Sequence, residues 1–220
     1  HPAGREVVKR TRLISVNVGR AEPMPGKSGQ SGINKCPVVG AVEIGLLGIA
    51  SDAIVDRDNH GGPEQAVYLY FATDYDWWAE RLARPMPPGT LRENLTISGV
   101  AGTDVHVGDR FTFGDCCLEV TSPRIPCVTL AHRMDDPGFV RLFQKARRPG
   151  AYARVVKPGQ VSAGIDGAWH PFDGPKVGLA ELMRDGSSHK LDEQTVARWR
   201  QAPIHKKLRE NLSLAYPEAI

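Results

Sequence analysis

The chain of 220 residues has only four cysteines, Cys36, Cys116, Cys117 and Cys127, and no two are spaced as C-x-x-C. A structural zinc site is therefore not expected, and the adjacent Cys116 and Cys117 are poor partners for each other. Reduced thiols and a cytoplasmic location are the expectation. No apolar run approaches the roughly 18–20 residues needed to cross a membrane. The opening stretch HPAGREVVKR has no apolar signal core, and His1 is not expected to be a natural start. Charge of one sign is scarce too: 28 Lys and Arg stand against 25 Asp and Glu, a formal net charge of +3. This is not the basic footprint of a protein that binds a nucleic-acid polymer, although local basic clusters could hold a small anion. Internal repeats, low-complexity tracts and flavin, nicotinamide or iron–sulfur motifs are absent. What remains is ordinary globular composition, 41% hydrophobic and 24% charged, with enough chain to bury a sizeable core.

Up to about Phe172 the pattern is mainly short strands with turn punctuation. RLISVNVG alternates apolar and polar residues as a half-buried strand does, and QAVYLYF is a compact β-former run. PVVGAVEIGLLGIASD reads as one or two strands, and GDRFTFGD as a short strand between Gly-Asp turns. TDYDWWAERLAR instead suits an amphipathic helix with Thr73 as N-cap. Helical character returns over Cys127–Arg148, and GAYARVVKPGQVSAGIDGAW goes back to strands and turns. After HPFDGPK come three short amphipathic helices, with Asp192 as an N-cap and Pro203 as a helix-start residue. The expected division is a β-rich domain over residues 1–173 and a helical module over 174–220.

Three stretches offer chemistry. In SPRIPCVTL, Ile125 is pushed towards an extended conformation by the following proline, and Pro126 suits a first helical turn. Cys127 would then sit near a helix N-terminus, which favours a thiolate, with Arg124 upstream to hold negative charge. A thiolate is a nucleophile or a soft metal ligand; the alternative is a buried, inert cysteine. In HGGPEQ, Gly61 and Gly62 would let backbone N–H groups approach an oxyanion, and His60 could donate a proton; the alternative is a tight turn capped by His60. In RENLT, Glu93 and Asn94 offer hydrogen-bonding groups, either to a ligand or to their own loop. Lys35, Arg154 and Lys157 are isolated basic residues, of the kind that is usually a solvated surface charge.

Taken in order, SGINKCPV, HGGPEQAVYLY, ENLT, VHVGDRF, SPRIPC and VVKPGQV resemble the MOSC family, named for the molybdenum-cofactor sulfurase C-terminal domain, and within it the stand-alone YiiM-type branch. Any one stretch is weak; six in order across most of the chain are specific. The resemblance implies a mainly β, α+β fold: a β-barrel-like core with flanking helices plus a small C-terminal three-helix module. It implies the molybdenum cofactor, molybdopterin, with Cys127 as the molybdenum ligand or, in a sulfur-transfer reading, as the sulfur carrier. His60, Gly61, Gly62, Glu93, Asn94, Arg124 and Cys127 would line the pocket, and Lys35, Arg154 and Lys157 are candidates for the cofactor's phosphate. His60 is the candidate proton donor.

The function this implies is reduction of N-hydroxylated compounds such as hydroxylamino base analogues, a detoxification chemistry. It would use an external electron-donor protein, with a homodimer as a possible assembly. The alternative is a carrier of the cofactor or of sulfur, with Cys127 as a persulfide and no substrate turnover. The chain departs from the family pattern at Leu91-Arg92, where Phe-Gly commonly stands, at Ser51-Asp52 for Gly-Asp, and at Glu64 for Asp. Arg92 would add positive charge beside the pocket, which leaves substrate preference open.

Overall fold

The computed structural model describes residues 8–19, 22–23, 30–31, 35–52 and 62–217. The elements run β1 (Lys9–Gly19), β2 (Glu22–Pro23), β3 (Gln30–Ser31), β4 (Lys35–Pro37), β5 (Val42–Gly45), β6 (Gly48–Ile49), β7 (Val67–Phe71) and α1 (Ala72–Leu82). They continue with β8 (Leu95–Ser98), β9 (Arg110–Phe113), β10 (Cys116–Ser122), α2 (Val128–Met134) and α3 (Phe139–Ala146). The chain then forms β11 (Ala151–Lys157), β12 (Gly159–Val161), β13 (Asp166–His170), α4 (Leu179–Asp185), α5 (Glu193–Gln201) and α6 (Lys206–Ala215).

Seven strands close into a barrel in the order β13-β9-β10-β11-β7-β8-β1, with β1 returning to β13. Closure leaves no edge along this ring, the usual remedy for unpaired strand groups. The seam runs from Lys9 opposite Trp169 to Arg12 opposite Asp166. The 11-residue β1 is long enough to serve three partners, β13 near its start, β8 in its middle and β4 at its end. Six pairs of the ring are antiparallel; β7 and β8 are parallel, and α1 supplies the crossover such a pair needs.

β7 explains where the site can form. All five residues of VYLYF are buried, because the strand is covered on both faces. Val67, Leu69 and Phe71 point into the barrel with Leu13, Val16, Leu95, Phe111, Phe113 and Leu118. Tyr68 and Tyr70 alternate to the outside, where α1, α2 and α3 cover them with Tyr75, Trp78, Leu130, Met134, Phe139 and Phe143. Polar tips in this outer layer find partners: Trp78 Nε1 donates to the Tyr70 hydroxyl at 2.7 Å, and the Tyr68 hydroxyl donates to Pro149 O at 2.7 Å.

The three tail helices form as expected, and Leu179, Leu182, Val196, Trp199 and Leu212 join the barrel's apolar cluster. Asp192 caps α5, accepting from Thr195 N at 2.7 Å. Three boundary expectations are corrected. Thr73 lies inside α1 because β7 runs straight into the helix with Phe71 at the N-cap, leaving no loop for a capping hydroxyl. Pro126 precedes rather than enters α2, whose N-cap is the extended Cys127. Pro203 belongs to the α5–α6 linker: its carbonyl accepts from Arg154 at 2.9 Å and the next residue, Ile204, is fully buried, so α6 starts only after His205.

Candidate functional site

The loop that carries ENLT is fixed from within. Glu93 is wholly buried and its carboxylate accepts three hydrogen bonds, from the Tyr75 hydroxyl (2.7 Å), Gly89 N (2.8 Å) and the Thr96 hydroxyl (2.6 Å). Asn94 ties the same loop to the barrel: its Oδ1 accepts from Tyr68 N at 3.0 Å, and its Nδ2 donates to Asp52 Oδ2 at 2.8 Å. Asn94 N also donates to Tyr68 O, and Asn94 O accepts from Asn17 N at 2.7 Å. These two residues spend their polar groups on the framework.

Against this framework three cations gather. Lys35, at the start of β4, reaches Asp52 Oδ2 at 2.7 Å, with side chains only 12% and 4% exposed. Burial pushes the Lys35 ammonium down, against the pull of Asp52, and Arg92 and Arg124 push it further. Arg124, 5% exposed, donates to Leu91 O at 2.7 Å and lies 5.1 Å over the Tyr68 ring. Arg92 takes a left-handed backbone, φ 70°, which costs a non-glycine residue about 1–3 kcal/mol. Burial first, and the Arg124 charge second, push its guanidinium down to about 10. Neither arginine has a carboxylate partner among the described residues, and Arg92 Nε is buried with no hydrogen bond.

Cys127 stands beside this charge, half-buried at the N-cap of α2. Burial alone would raise its thiol. The Thr129 hydroxyl 3.1 Å away, the Arg124 charge and the N–H groups of Leu130 and Thr129 outweigh burial, and the thiol lies below its ordinary value. The contrast is Cys116, buried inside β10 and pushed up to about 12. Cys127 is thus a thiol held below its ordinary value, beside the Arg124 charge. Among the described residues no group of three or more His, Cys, Asp or Glu could hold a metal ion.

The structure therefore brings together Cys127, Arg124, Asn94 and Lys35. Glu93 sits beneath them as a support. Gly62 opens the turn before β7 with φ 81°, a conformation suited to glycine, and a Cβ there would meet nothing within 4 Å. His60 and Gly61 lie outside the described residues. Arg154 and Lys157 are not brought into this group. Arg154 is held by Glu64 at 2.9 Å and Glu119 at 3.3 Å, and the exposed Lys157 pairs with Asp115. On β10–β11, Lys157 stands opposite Cys117 whereas Tyr152 stands opposite Ser122, so Lys157 is roughly 17 Å along the strand from the Ser122 end. Sequence reasoning missed the roles of Asp52, Thr129 and Tyr68. Thr129, two residues after the cysteine, was the readable signal; Asp52 becomes visible only once the fold joins it to Lys35 and Asn94.

A family model for the MOSC domain matches residues 56–166. The protein YflK of Bacillus subtilis is 35% identical over 160 residues, 72% of each chain, and the protein YiiM of Escherichia coli is 32% identical over 158 residues, 68% of each chain. A protein of Gibberella moniliformis named a reductase is 32% identical over 199 residues, 87% of this chain but 35% of the fungal one. The crystal structure of YiiM from Geobacillus stearothermophilus superposes with a TM-score of 0.75 at 22% identity, covering 93% of this chain and 98% of that one. Seven-stranded barrel, flanking helices and sequence matches agree: the chain belongs to the MOSC domain family, in its YiiM-type branch.

Proposed function

We propose that this protein is a molybdenum-cofactor-dependent reductase of N-hydroxylated compounds, with Cys127 as the protein's ligand to the metal. MOSC domains are associated with the molybdenum cofactor, and the residues present suit it. Soft sulfur is a donor molybdenum accepts readily, and an anionic pterin phosphate suits buried cations. The observation that carries the reading is the lowered Cys127 thiol beside Arg124, a nearly buried guanidinium with no carboxylate partner among the described residues. Such a charge is costly to bury unless an anion neutralises it. Lys35, Arg124 and the open turn at Gly62 would hold the cofactor's oxyanions, while Glu93 and Asn94 keep the supporting loop in place. When bound, the cofactor would supply a metal that changes oxidation state. Reduction breaks the N–O bond of a hydroxylamine with two electrons and two protons, giving an amine and water. An external donor protein supplies the electrons, and His60 is the proposed proton donor. The fungal relative named a reductase supports the reaction class.

Metal analysis of freshly isolated protein beside Cys127→Ala tests the ligand assignment. Molybdenum should accompany the wild type and be lost from the variant, and the wild type should reduce a hydroxylamino purine. Full molybdenum content and full activity in Cys127→Ala would overturn it. A second reading has the same half-exposed, lowered thiol carry sulfur as a persulfide without substrate turnover. Mass spectrometry of native protein, showing one added sulfur on Cys127 and no reductase activity, would favour that carrier.

A further inference from the structure

The turn that follows Gly62 has little of its own to hold it. Pro63–Gln65 form a single 3-10 turn, closed by Gln65 N donating to Gly62 O at 3.1 Å; none of its residues is buried and no side chain caps it. So short a piece keeps one shape only if its surroundings impose it. Polar ties do so. The Glu64 carbonyl accepts from the Thr121 hydroxyl at 2.6 Å, and Gln65 Nε2 donates to the Ser122 hydroxyl at 3.3 Å. The Glu64 side chain reaches the C-terminal helices. Its carboxylate accepts from Arg154 at 2.9 Å and from Lys206 N, and Arg209 stands 3.6 Å away.

Lys206 is the first residue of α6, so its N–H has no partner within the helix, and a carboxylate suits that end of the helix dipole. The residue before it donates elsewhere, His205 N to Thr121 O at 2.9 Å. Thr121 belongs to β10, the strand that runs on to Arg124 and Cys127. Two successive N–H groups of the tail thus hold two separate parts of the chain together, the strand leading to Cys127 and the turn opened by Gly62. Arg154 braces the junction, donating to Glu64 and to the Pro203 carbonyl, both at 2.9 Å. The linker is anchored too, because Ala202 and Ile204, on either side of Pro203, are buried in the barrel's apolar cluster.

We infer that the C-terminal helical module is a working part of the site: through Glu64, a positioning residue, it holds the turn at Gly62 where the cofactor's oxyanions would sit. This rests on the cofactor reading above, which gives that turn its ligand. Lys206→Pro cuts the tie selectively. Proline suits the first position of a helix, and His205 already has the extended backbone, ψ 139°, that a following proline requires. Lys206→Ala, which loses the side chain but keeps the N–H, is the control. Glu64→Ala cuts the same tie from the barrel side. Amide hydrogen exchange and pterin content are measured on the full chain isolated with its cofactor. Lys206→Pro and Glu64→Ala should speed exchange at Gln65 by roughly 10- to 100-fold, the scale of a lost charge-assisted bond. The Tyr68 and Asn94 amides, bonded within the framework, should exchange as in wild type. Pterin retained through gel filtration should fall in both variants and stay at the wild-type level in Lys206→Ala. Unchanged exchange at Gln65 in both variants overturns the proposal. So does equal acceleration at Tyr68 and Asn94, which is general loosening, or faster exchange at Gln65 with undiminished pterin. If wild type carries no pterin but Gln65 still exchanges faster in both variants, the tail's hold on the turn stands and the cofactor reading fails.

Discussion

Glu93→Gln separates a framework role for the Glu-Asn pair from a ligand-contacting one. The carboxylate is fully buried, and its three partners, the Tyr75 hydroxyl, Gly89 N and the Thr96 hydroxyl, all donate. Glutamine accepts at one end only. Its best orientation keeps the carbonyl towards Gly89 and Thr96 and turns the amide towards Tyr75, whose hydroxyl oxygen already accepts from Leu91 N at 2.9 Å. Two charge-assisted bonds weaken to neutral ones and the third is lost. At 1.5–3 kcal/mol for a bond to a charged group, the cost is about 2–4 kcal/mol. For a chain of this size that lowers Tm by roughly 5–15 °C. Circular-dichroism melting and urea unfolding of cofactor-free protein measure it directly. A Tm within about 2 °C of wild type, far below the expected shift, combined with lost molybdenum, would refute the framework account and make Glu93 a contact of the ligand.

Thr129→Val removes the hydroxyl 3.1 Å from the Cys127 sulfur. Burial already acts to raise that thiol, so losing the largest opposing contribution should shift its alkylation profile to higher pH; an unmoved profile would leave Arg124 and the backbone N–H groups as the cause. Asp52→Asn leaves the Lys35 ammonium buried without its carboxylate and should cost about 3–5 kcal/mol in urea unfolding near neutral pH. Burial already depresses Lys35, so the native state sheds this proton before the unfolded chain does. The deficit should therefore shrink as pH rises from the variant's Lys35 value, lowered further by the loss of Asp52, to the wild-type value, which itself lies below that of an ordinary lysine; a pH-independent deficit would contradict this.

The sequence showed the site's chemistry better than its geometry. Cys127 was readable because Pro126 and the helical text after it place the thiol at a helix start, and it does stand at the N-cap of α2. The strands were readable from alternation, and the tail from three amphipathic stretches. The barrel was legible only through the family resemblance, because its closure joins residues 9–12 to residues 166–169 and no local pattern encodes so distant a pairing. The same limit explains Glu93 and Asn94. A motif tells which polar residues gather near a pocket, but whether they turn towards a ligand or towards Gly89, Thr96 and Tyr68 depends on where other strands arrive. Arg154 looked like a free basic residue because Glu64, 90 residues away in the chain, neutralises it only after folding.

The seam between β1 and β13 sets the order in which this molecule can be made. β1 leaves the ribosome well before the partner that closes the barrel, which follows about 155 residues later. At roughly 5–20 residues per second that is a wait of about 8–30 s. Leu13 and Val16 find their own partner earlier, when β8 follows about 80 residues behind them, but the start of the strand, Lys9–Arg12, has no closing partner until β13. Lys9, Arg10 and Arg12 border the strand's apolar half, and charges in that place discourage association between nascent chains. The basic start of β1 carries this charge unneutralised by its folded-state partner until Asp166 is made, after which Arg10 and Arg12 pair with it.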